Sequence, residues 1–130
     1  MEITLSHDPS KPAVAVLVLK GDLTAEAPLV GQAQTAFQDG ARNIVLDLSK
    51  VNYISSAGLR AIHTIYTMLR SADPADEEAA VRGIARGTYK SPHLNLVRPS
   101  KSVSKVLSMA GYDMFLEIHD NQKAALATFG

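Results

Sequence analysis

The chain of 130 residues contains no cysteine. Disulfide scaffolds, thiolate nucleophiles and cysteine-ligated metal sites are therefore excluded. The chain also lacks a net charge, because its 13 basic and 13 acidic side chains balance. A balanced molecule has no overall field that would gather nucleic acid or anionic lipid. We therefore expect neither nucleic acid nor membrane among its partners.

Long hydrophobic runs are missing as well. No segment approaches the roughly 20 apolar residues that a membrane-spanning helix needs, and residues 1–9 lack the basic start and apolar core of a secretory leader. We therefore expect a cytoplasmic protein. The apolar content of 46% is ample for one core, and the length is typical of one domain, so we predict a single domain over residues 1–130.

Motifs for metal, nucleotide or cofactor chemistry are also absent. The sequence has neither a G-x-x-x-x-G-K-[ST] phosphate loop nor a G-x-G-x-x-G dinucleotide turn. Its four histidines fall on separate predicted elements without paired ligand spacing, so we expect no metal and no cofactor. They are His7, His63, His93 and His119. The acidic residues between 73 and 78 share one polar stretch, which we interpret as a solvated face and not as a general acid and base.

What the sequence does contain is a regular alternation of strand and helix patterns. The predicted order is β, β, α, β, α, β, α, β, α, with an initial antiparallel hairpin and three crossovers that favour parallel pairing. The fold class is therefore α/β with a mixed sheet of about five strands. The strands are predicted at 2–6, 13–19, 44–48, 93–97 and 114–118. Helix caps are predicted at Thr24, Ser100 and Asp120, and a short helical turn at 76–84.

Two adjacent serines follow the predicted central strand, Ile44 to Leu48. Ser55 and Ser56 come where a helix begins, because the residues after them form an apolar stripe with helical spacing. The stripe consists of Leu59, Ile62, Ile65, Tyr66 and Leu69. A hydroxyl at a helix N-terminus can cap unpaired N–H groups or carry a phosphate. Spacing alone favours the cap and leaves the phosphate open.

The run from Leu46 to Arg60, with Tyr53-Ile54-Ser55-Ser56-Ala57-Gly58-Leu59-Arg60 at its end, resembles the central motif of the STAS family of bacterial anti-sigma factor antagonists. Weaker matches cover most of the remaining chain, at 21–24, 95–100, 111–115 and 124–126. The resemblance implies a STAS-like mixed sheet with helices mainly on one face. Aligned on Gly58-Leu59, the hydroxyl that this family phosphorylates falls on Ser56, and Ser55 is the second candidate.

The resemblance also implies a function, which is binding and not catalysis. The unmodified chain would bind an anti-sigma factor serine kinase and free a sigma factor, phosphorylation of Ser56 would release the kinase, and a phosphatase would be a further partner. The partner-binding residues implied are Asp22, Asp47, Ser55, Ser56, Gly58 and Arg60. Most have a structural alternative: packing for Gly58, a turn for Asp22 and Asp47, and a solvated helix charge for Arg60.

Two departures from the family pattern keep alternatives open. The family often has Asp before the acceptor, where this chain has Ser55, and the polar stretch 71–91 is longer than the usual connection. An alternative function is therefore a STAS scaffold or small-ligand-sensing signalling module that is never phosphorylated. A hydrolase is disfavoured, because a nucleophile elbow needs G-x-S-x-G and Ile54 stands two residues before Ser56.

Overall fold

The computed structural model describes residues 1–84 and 86–129, so the predicted insert 71–91 is described except at residue 85. Five strands form one sheet in chain order. The first and second strands pair antiparallel, and each of the three remaining neighbouring pairs is parallel, as predicted from the order of elements. The strands are β1 (Glu2–His7), β2 (Val14–Leu23), β3 (Asn43–Ile54), β4 (Leu94–Val97) and β5 (Glu117–His119).

In the described part of the chain, five α-helices cover this sheet, mainly on one face as the resemblance implied. The helices are α1 (Ala27–Gln38), α2 (Ser56–Ser71), α3 (Pro74–Ile84), α4 (Lys101–Met109) and α5 (Gln122–Ala127), with a 3₁₀ turn at Tyr112–Met114. Residues of α1, α2 and α4 share the larger core with one face of the sheet. Ala125 of α5 and the following Phe129 pack on valines of the other face. No helix in the described part of the chain is long and apolar enough to cross a membrane.

Coverage of both faces explains why β2 and β3 read as continuous apolar runs. In β2, Ala15, Leu17 and Leu19 belong to the larger core, whereas Val14 and Val16 belong to the smaller one. Successive side chains of a strand point to opposite faces, so a strand buried on both sides needs apolar residues at nearly every position. From Val14 to Leu19, the alternation assigns successive β2 residues to the two cores in turn.

The strands that lead to the two serines are longer than predicted. β3 continues six residues beyond Leu48 to Ile54, and β2 continues to Leu23, where the two remain paired. This extension moves the start of α1 to Ala27, so the predicted cap at Thr24 is wrong. The residue at the cap position is Glu26, whose side chain makes no capping hydrogen bond. Long-range pairing therefore overrode a local capping pattern.

Three further boundaries differ from the prediction. Residues 112–114 form a 3₁₀ turn where the last strand was expected to begin, so β5 starts only at Glu117. The final helix is capped by Asn121, whose Oδ1 accepts from the N–H of Ala124 at 2.8 Å, and not by Asp120. The predicted turn at 76–84 is a helix of 11 residues. The cap predicted at Ser100 is confirmed, with its hydroxyl 3.2 Å from the N–H of Val103.

Candidate functional site

The candidate site lies where β2 and β3 end together and α2 begins. Leu23 pairs with Ile54 at the last position of both strands, and the N–H of Ser55 then donates to the carbonyl of Leu23 at 3.0 Å. The chain turns directly into α2 at Ser56. The first turn of this helix is therefore fixed against the end of a neighbouring strand.

Ser55 is the N-cap of α2. Its backbone is extended, and its Oγ accepts from the N–H of Gly58 at 3.2 Å. The same hydroxyl lies 3.4 Å from the carbonyl oxygen of Leu23, to which it can donate. Ser55 is half-buried, and both its donor and one of its acceptor positions are occupied. The capping role predicted from spacing is thus confirmed, and it belongs to Ser55.

Ser56 differs from its neighbour in every respect that matters for modification. It is the first residue of α2 and is exposed. Its hydroxyl makes no hydrogen bond to any of the residues that the structure describes. A helix N-terminus also carries unpaired N–H groups and the positive end of the helix dipole. Ser56 is therefore exposed at the positive end of α2.

Gly58 is a packing residue. It is buried, and a Cβ atom built on it would lie 2.5 Å from the carbonyl oxygen of Leu23 and 2.8 Å from side-chain atoms of Leu23 and Ile54. Only glycine lets α2 approach β2 this closely. Its buried position corrects the expectation that it contacts a partner directly, and favours the packing alternative.

Three other exposed residues belong to the strand ends and the helix start that flank Ser56. Asp22 is exposed and pairs across the strands with Tyr53, whose side chain is 54% exposed. Arg60, one turn into α2, forms an ion pair with Glu26 at 2.6 Å. Sequence reasoning missed Tyr53 as a site residue, although an exposed aromatic side chain is a common feature of protein interfaces. One indication of this exposure lies in the sequence, because Tyr53 directly precedes the apolar Ile54 and so points to the opposite face of the strand.

Asp47 is separate from these residues. It lies six residues before Tyr53 on β3, which corresponds to roughly 20 Å along a strand. Its carboxylate is buried and accepts from the N–H of Ser49 at 2.9 Å and from Gln122 Nε2 at 2.7 Å. Burial by itself raises the pKa of Asp47, but these hydrogen bonds hold it below the ordinary value. Asp47 therefore has a structural role, but inside β3 and not in the turn that was expected, and the expectation that it lies near Ser56 is wrong.

The acidic residues between 73 and 78 do not form one solvated face. Asp76 is buried, and its Oδ1 accepts from the hydroxyl of Tyr89 at 2.6 Å. The ring of His93 lies between Asn43 Oδ1 and Asp73 Oδ2, at 2.7 and 2.8 Å, and its hydrogen bond lowers the pKa of Asp73. We call Asp73, Asp76, Tyr89 and His93 the α3 anchor, because they fasten α3 to the sheet. Across residues 1–84 and 86–129, no cluster of three or more His, Asp or Glu side chains could hold a metal.

With the geometry established, sequence comparison identifies the family. A family model described as "Mlab, STAS domain" matches residues 6–75, which is more than half of the chain. The chain belongs to the STAS domain family. The matched region contains β2, α1, β3 and α2, and so includes the whole candidate site. No curated protein matches this STAS chain at the level of sequence.

Solved structures share the fold over nearly their full length. The unphosphorylated anti-sigma factor antagonist SpoIIAA superimposes with a TM-score of 0.71 at 17% identity, covering 96% of this chain and 93% of that one. An anti-sigma factor antagonist from Mycobacterium paratuberculosis gives 0.70 at 17% identity, covering 98% and 92%. Phosphorylated SpoIIAA from Bacillus gives 0.63 at 19% identity, covering 97% of both chains. At these identities, the likeness establishes the STAS fold alone.

Proposed function

We propose that this STAS domain is an anti-sigma factor antagonist controlled by phosphorylation of Ser56. In the unmodified state it binds an anti-sigma factor serine kinase and so frees a sigma factor, and transfer of phosphate from ATP to Ser56 releases it. The observation that carries the proposal is the contrast between adjacent hydroxyls. That of Ser55 is engaged in the cap, whereas that of Ser56 is exposed and without a hydrogen bond among the described residues. SpoIIAA, of the same fold, has been solved in unphosphorylated and phosphorylated forms.

The position of Ser56 separates the effect on folding from the effect on binding. A phosphate adds a charge of about −1.5 to −2 and three strong acceptor oxygens. At the first position of α2 it meets the positive end of the helix and N–H groups without helical partners, so the domain itself accommodates it. Fold stability therefore changes little.

An interface built around a neutral hydroxyl is affected much more. The exposed residues Asp22 and Tyr53 flank the end of the strand pair that leads to Ser56, and Arg60 is one turn away. A partner that covers this surface removes water from Ser56. A phosphate dianion in this interface would lose its water and face groups arranged for a neutral side chain. The desolvation cost and the electrostatic repulsion would both weaken binding, so the partner dissociates.

The first experiment identifies the acceptor. The protein is incubated with the cognate anti-sigma factor kinase and ATP, and the modified residue is located by mass spectrometry in wild type, Ser56→Ala and Ser55→Asn. Asparagine caps helices as well as serine does, so the second variant removes a hydroxyl and keeps the cap. We expect the phosphate to be lost only in Ser56→Ala. An unlabelled wild type would instead favour a scaffold that is never phosphorylated.

The second arm measures the release of the partner. The affinity of the kinase for Ser56→Glu is compared with that for Ser102→Glu, which places the same charge in the first turn of α4 on another exposed serine. Like-charge juxtaposition at an interface costs several kcal/mol, so we expect Ser56→Glu to bind at least about 100-fold more weakly than wild type. Ser102→Glu should bind as wild type does. Equal affinities for both variants would contradict the proposed switch.

A further inference from the structure

A second surface of the molecule has the features of a small-molecule site. We propose that the cavity between α2, the end of α3 and the 3₁₀ turn binds a small aromatic carboxylate. The cavity has a volume of about 300 Å³. It is lined chiefly by His63, Tyr66, Arg70, Tyr89, Met114 and Phe115. The volume is at the lower end of the range for ligand pockets and equals roughly the space of ten water molecules, so it suits one ring or two fused rings.

The walls of the cavity select flat, apolar groups. Tyr66 has its ring centroid 4.9 Å from that of Phe115 and 6.2 Å from that of Tyr89, with interplanar angles of 53° and 54°. His63 meets Tyr66 edge to face at 5.8 Å. Tyr66 and Tyr89 are buried and rigidly packed, so the cavity presents preformed aromatic surface, and an aromatic guest gains energy beyond area burial from edge or offset contacts with such rings. A flat ring therefore fits these walls better than an alkyl chain.

The cavity wall carries the permanent positive charge of Arg70. Its guanidinium donates from Nε to Glu77 Oε1 at 3.1 Å and from Nη1 to the hydroxyl of Tyr66 at 3.2 Å. A guanidinium has five N–H donors, so further donors are available to a ligand. The described residues that line the cavity include no carboxylate, and Glu77, which pairs with the Nε of Arg70, is outside this lining. The charge complement of this wall is a carboxylate.

Two exposed apolar residues form part of the cavity wall. Ile84 is 53% exposed and Met114 is 63% exposed, and both line the cavity. Exposed apolar residues grouped around a concave site are typical of ligand-binding grooves. His63 follows Ser56 by seven residues, which is about 10 Å along α2. The cavity is thus distinct from the phosphorylation site, and the inference does not depend on the proposed switch.

The test uses three probes and ¹H–¹⁵N NMR titration of the whole chain. Indole-3-carboxylate carries the ring and the charge, indole-3-carboxamide removes the charge, and octanoate removes the ring. We expect saturable shifts with indole-3-carboxylate, centred on Tyr66, Arg70 and Phe115. The loss of a charge-assisted hydrogen bond should weaken the carboxamide about tenfold or more. Octanoate should also bind more weakly.

Two pairs of variants locate the binding. Arg70→Met should weaken indole-3-carboxylate about tenfold, whereas Arg82→Met should not, because Arg82 pairs with Glu78 on the exposed side of α3. Met114→Glu places a negative charge on the exposed part of the cavity wall and should also weaken binding. Its control is Met109→Glu, at an 80% exposed methionine that does not line the cavity.

Three results of these titrations would contradict the proposed ligand site, and none of them depends on phosphorylation of Ser56. Absence of saturable shifts with indole-3-carboxylate would overturn it, as would equal affinity for the carboxamide or for octanoate. Binding insensitive to both Arg70→Met and Met114→Glu would also overturn it. Ser56→Ala should leave the affinity unchanged, so a failure of the phosphorylation switch and a failure of the ligand site are distinguishable.

Discussion

The junction of β3 and α2 and the α3 anchor differ in the burial of their polar side chains. At the end of β3 and the start of α2, Tyr53 and Ser56 are exposed, and their hydroxyl groups make no hydrogen bond to the described residues. In the α3 anchor, Asp76 and Tyr89 are buried against each other, and His93 lies between two acceptors. The two regions are similar in sequence polarity and differ in what their polar groups contact.

The difference separates groups that maintain the fold from groups that can act on another molecule. Burial of the Asp76 carboxylate requires a hydrogen-bond partner, because an unpaired buried charge is strongly unfavourable. Burial and the neighbouring Asp76 raise the pKa of Tyr89, so its phenol stays protonated and remains a donor. Ser56, by contrast, contributes nothing to the interior. A residue whose hydroxyl is not needed for folding can be modified without unfolding the domain.

The largest difference in the free energy of unfolding is expected between Tyr89→Phe and Tyr53→Phe. Tyr89→Phe removes the donor to the buried carboxylate of Asp76, and hydrogen bonds to charged groups contribute about 1.5–3 kcal/mol. We therefore expect a loss of about 2 kcal/mol in the free energy of unfolding. Tyr53→Phe removes an exposed hydroxyl and should change it by less than about 0.5 kcal/mol. Urea denaturation measures both, and equal losses would contradict the distinction between the two regions.

A smaller effect is expected from two glycines in helices. Alanine at Gly58 would place its Cβ 2.5 Å from the carbonyl of Leu23, and overpacking costs about 1–3 kcal/mol against a helix-propensity gain of about 1. A Cβ added at Gly31 of α1 would meet no described atom within 4 Å, so Gly31→Ala obtains the gain alone. We expect opposite signs in thermal unfolding: a lower Tm for Gly58→Ala and a higher Tm for Gly31→Ala. A raised Tm for Gly58→Ala would show that close packing there is not required.

The smallest effects compare the two serines. Ser55→Ala removes the cap of α2 and should lower the free energy of unfolding by about 1 kcal/mol. Ser56→Ala removes an exposed hydroxyl and should change it by less than about 0.5 kcal/mol. Chemical denaturation of both variants in one buffer provides the measurement. If Ser56→Ala proved the more destabilising, the assignment of the cap to Ser55 would be wrong.

Most of the architecture followed from periodicity and order of elements. The apolar patterns predicted five strands and their order, and the stripe from Leu59 to Leu69 predicted the inner side of α2. Element ends were less predictable. Thr24 and Asp120 are both good capping residues, but neither is a cap. The pairing of Leu23 with Ile54 keeps the chain extended up to Thr24, and α5 begins one residue later than predicted, with Asn121 as its cap. Capping preference is local, whereas strand length depends on a partner distant in the chain.

The candidate site was predictable in part for the same reason. The motif located both serines at the start of a helix and included Arg60, and the weaker match at 21–24 supplied Asp22, which the pairing of β2 with β3 brings to the same end of the sheet. The motif also included Asp47 and Gly58, which the fold buries for structural purposes. The burial of Asp76 was missed, because the polar stretch around it gives no sign that Tyr89 and His93 fold back on it.

The amino-acid sequence by itself determined the α/β class, the two buried strands, the helix that begins at the two serines and the absence of cysteine chemistry. These properties depend on composition and on spacing within one element. Only the tertiary structure decided which serine is the cap and which is exposed. That choice depends on the carbonyl of Leu23, 32 residues before Ser55, which the end of β2 brings to the first turn of α2.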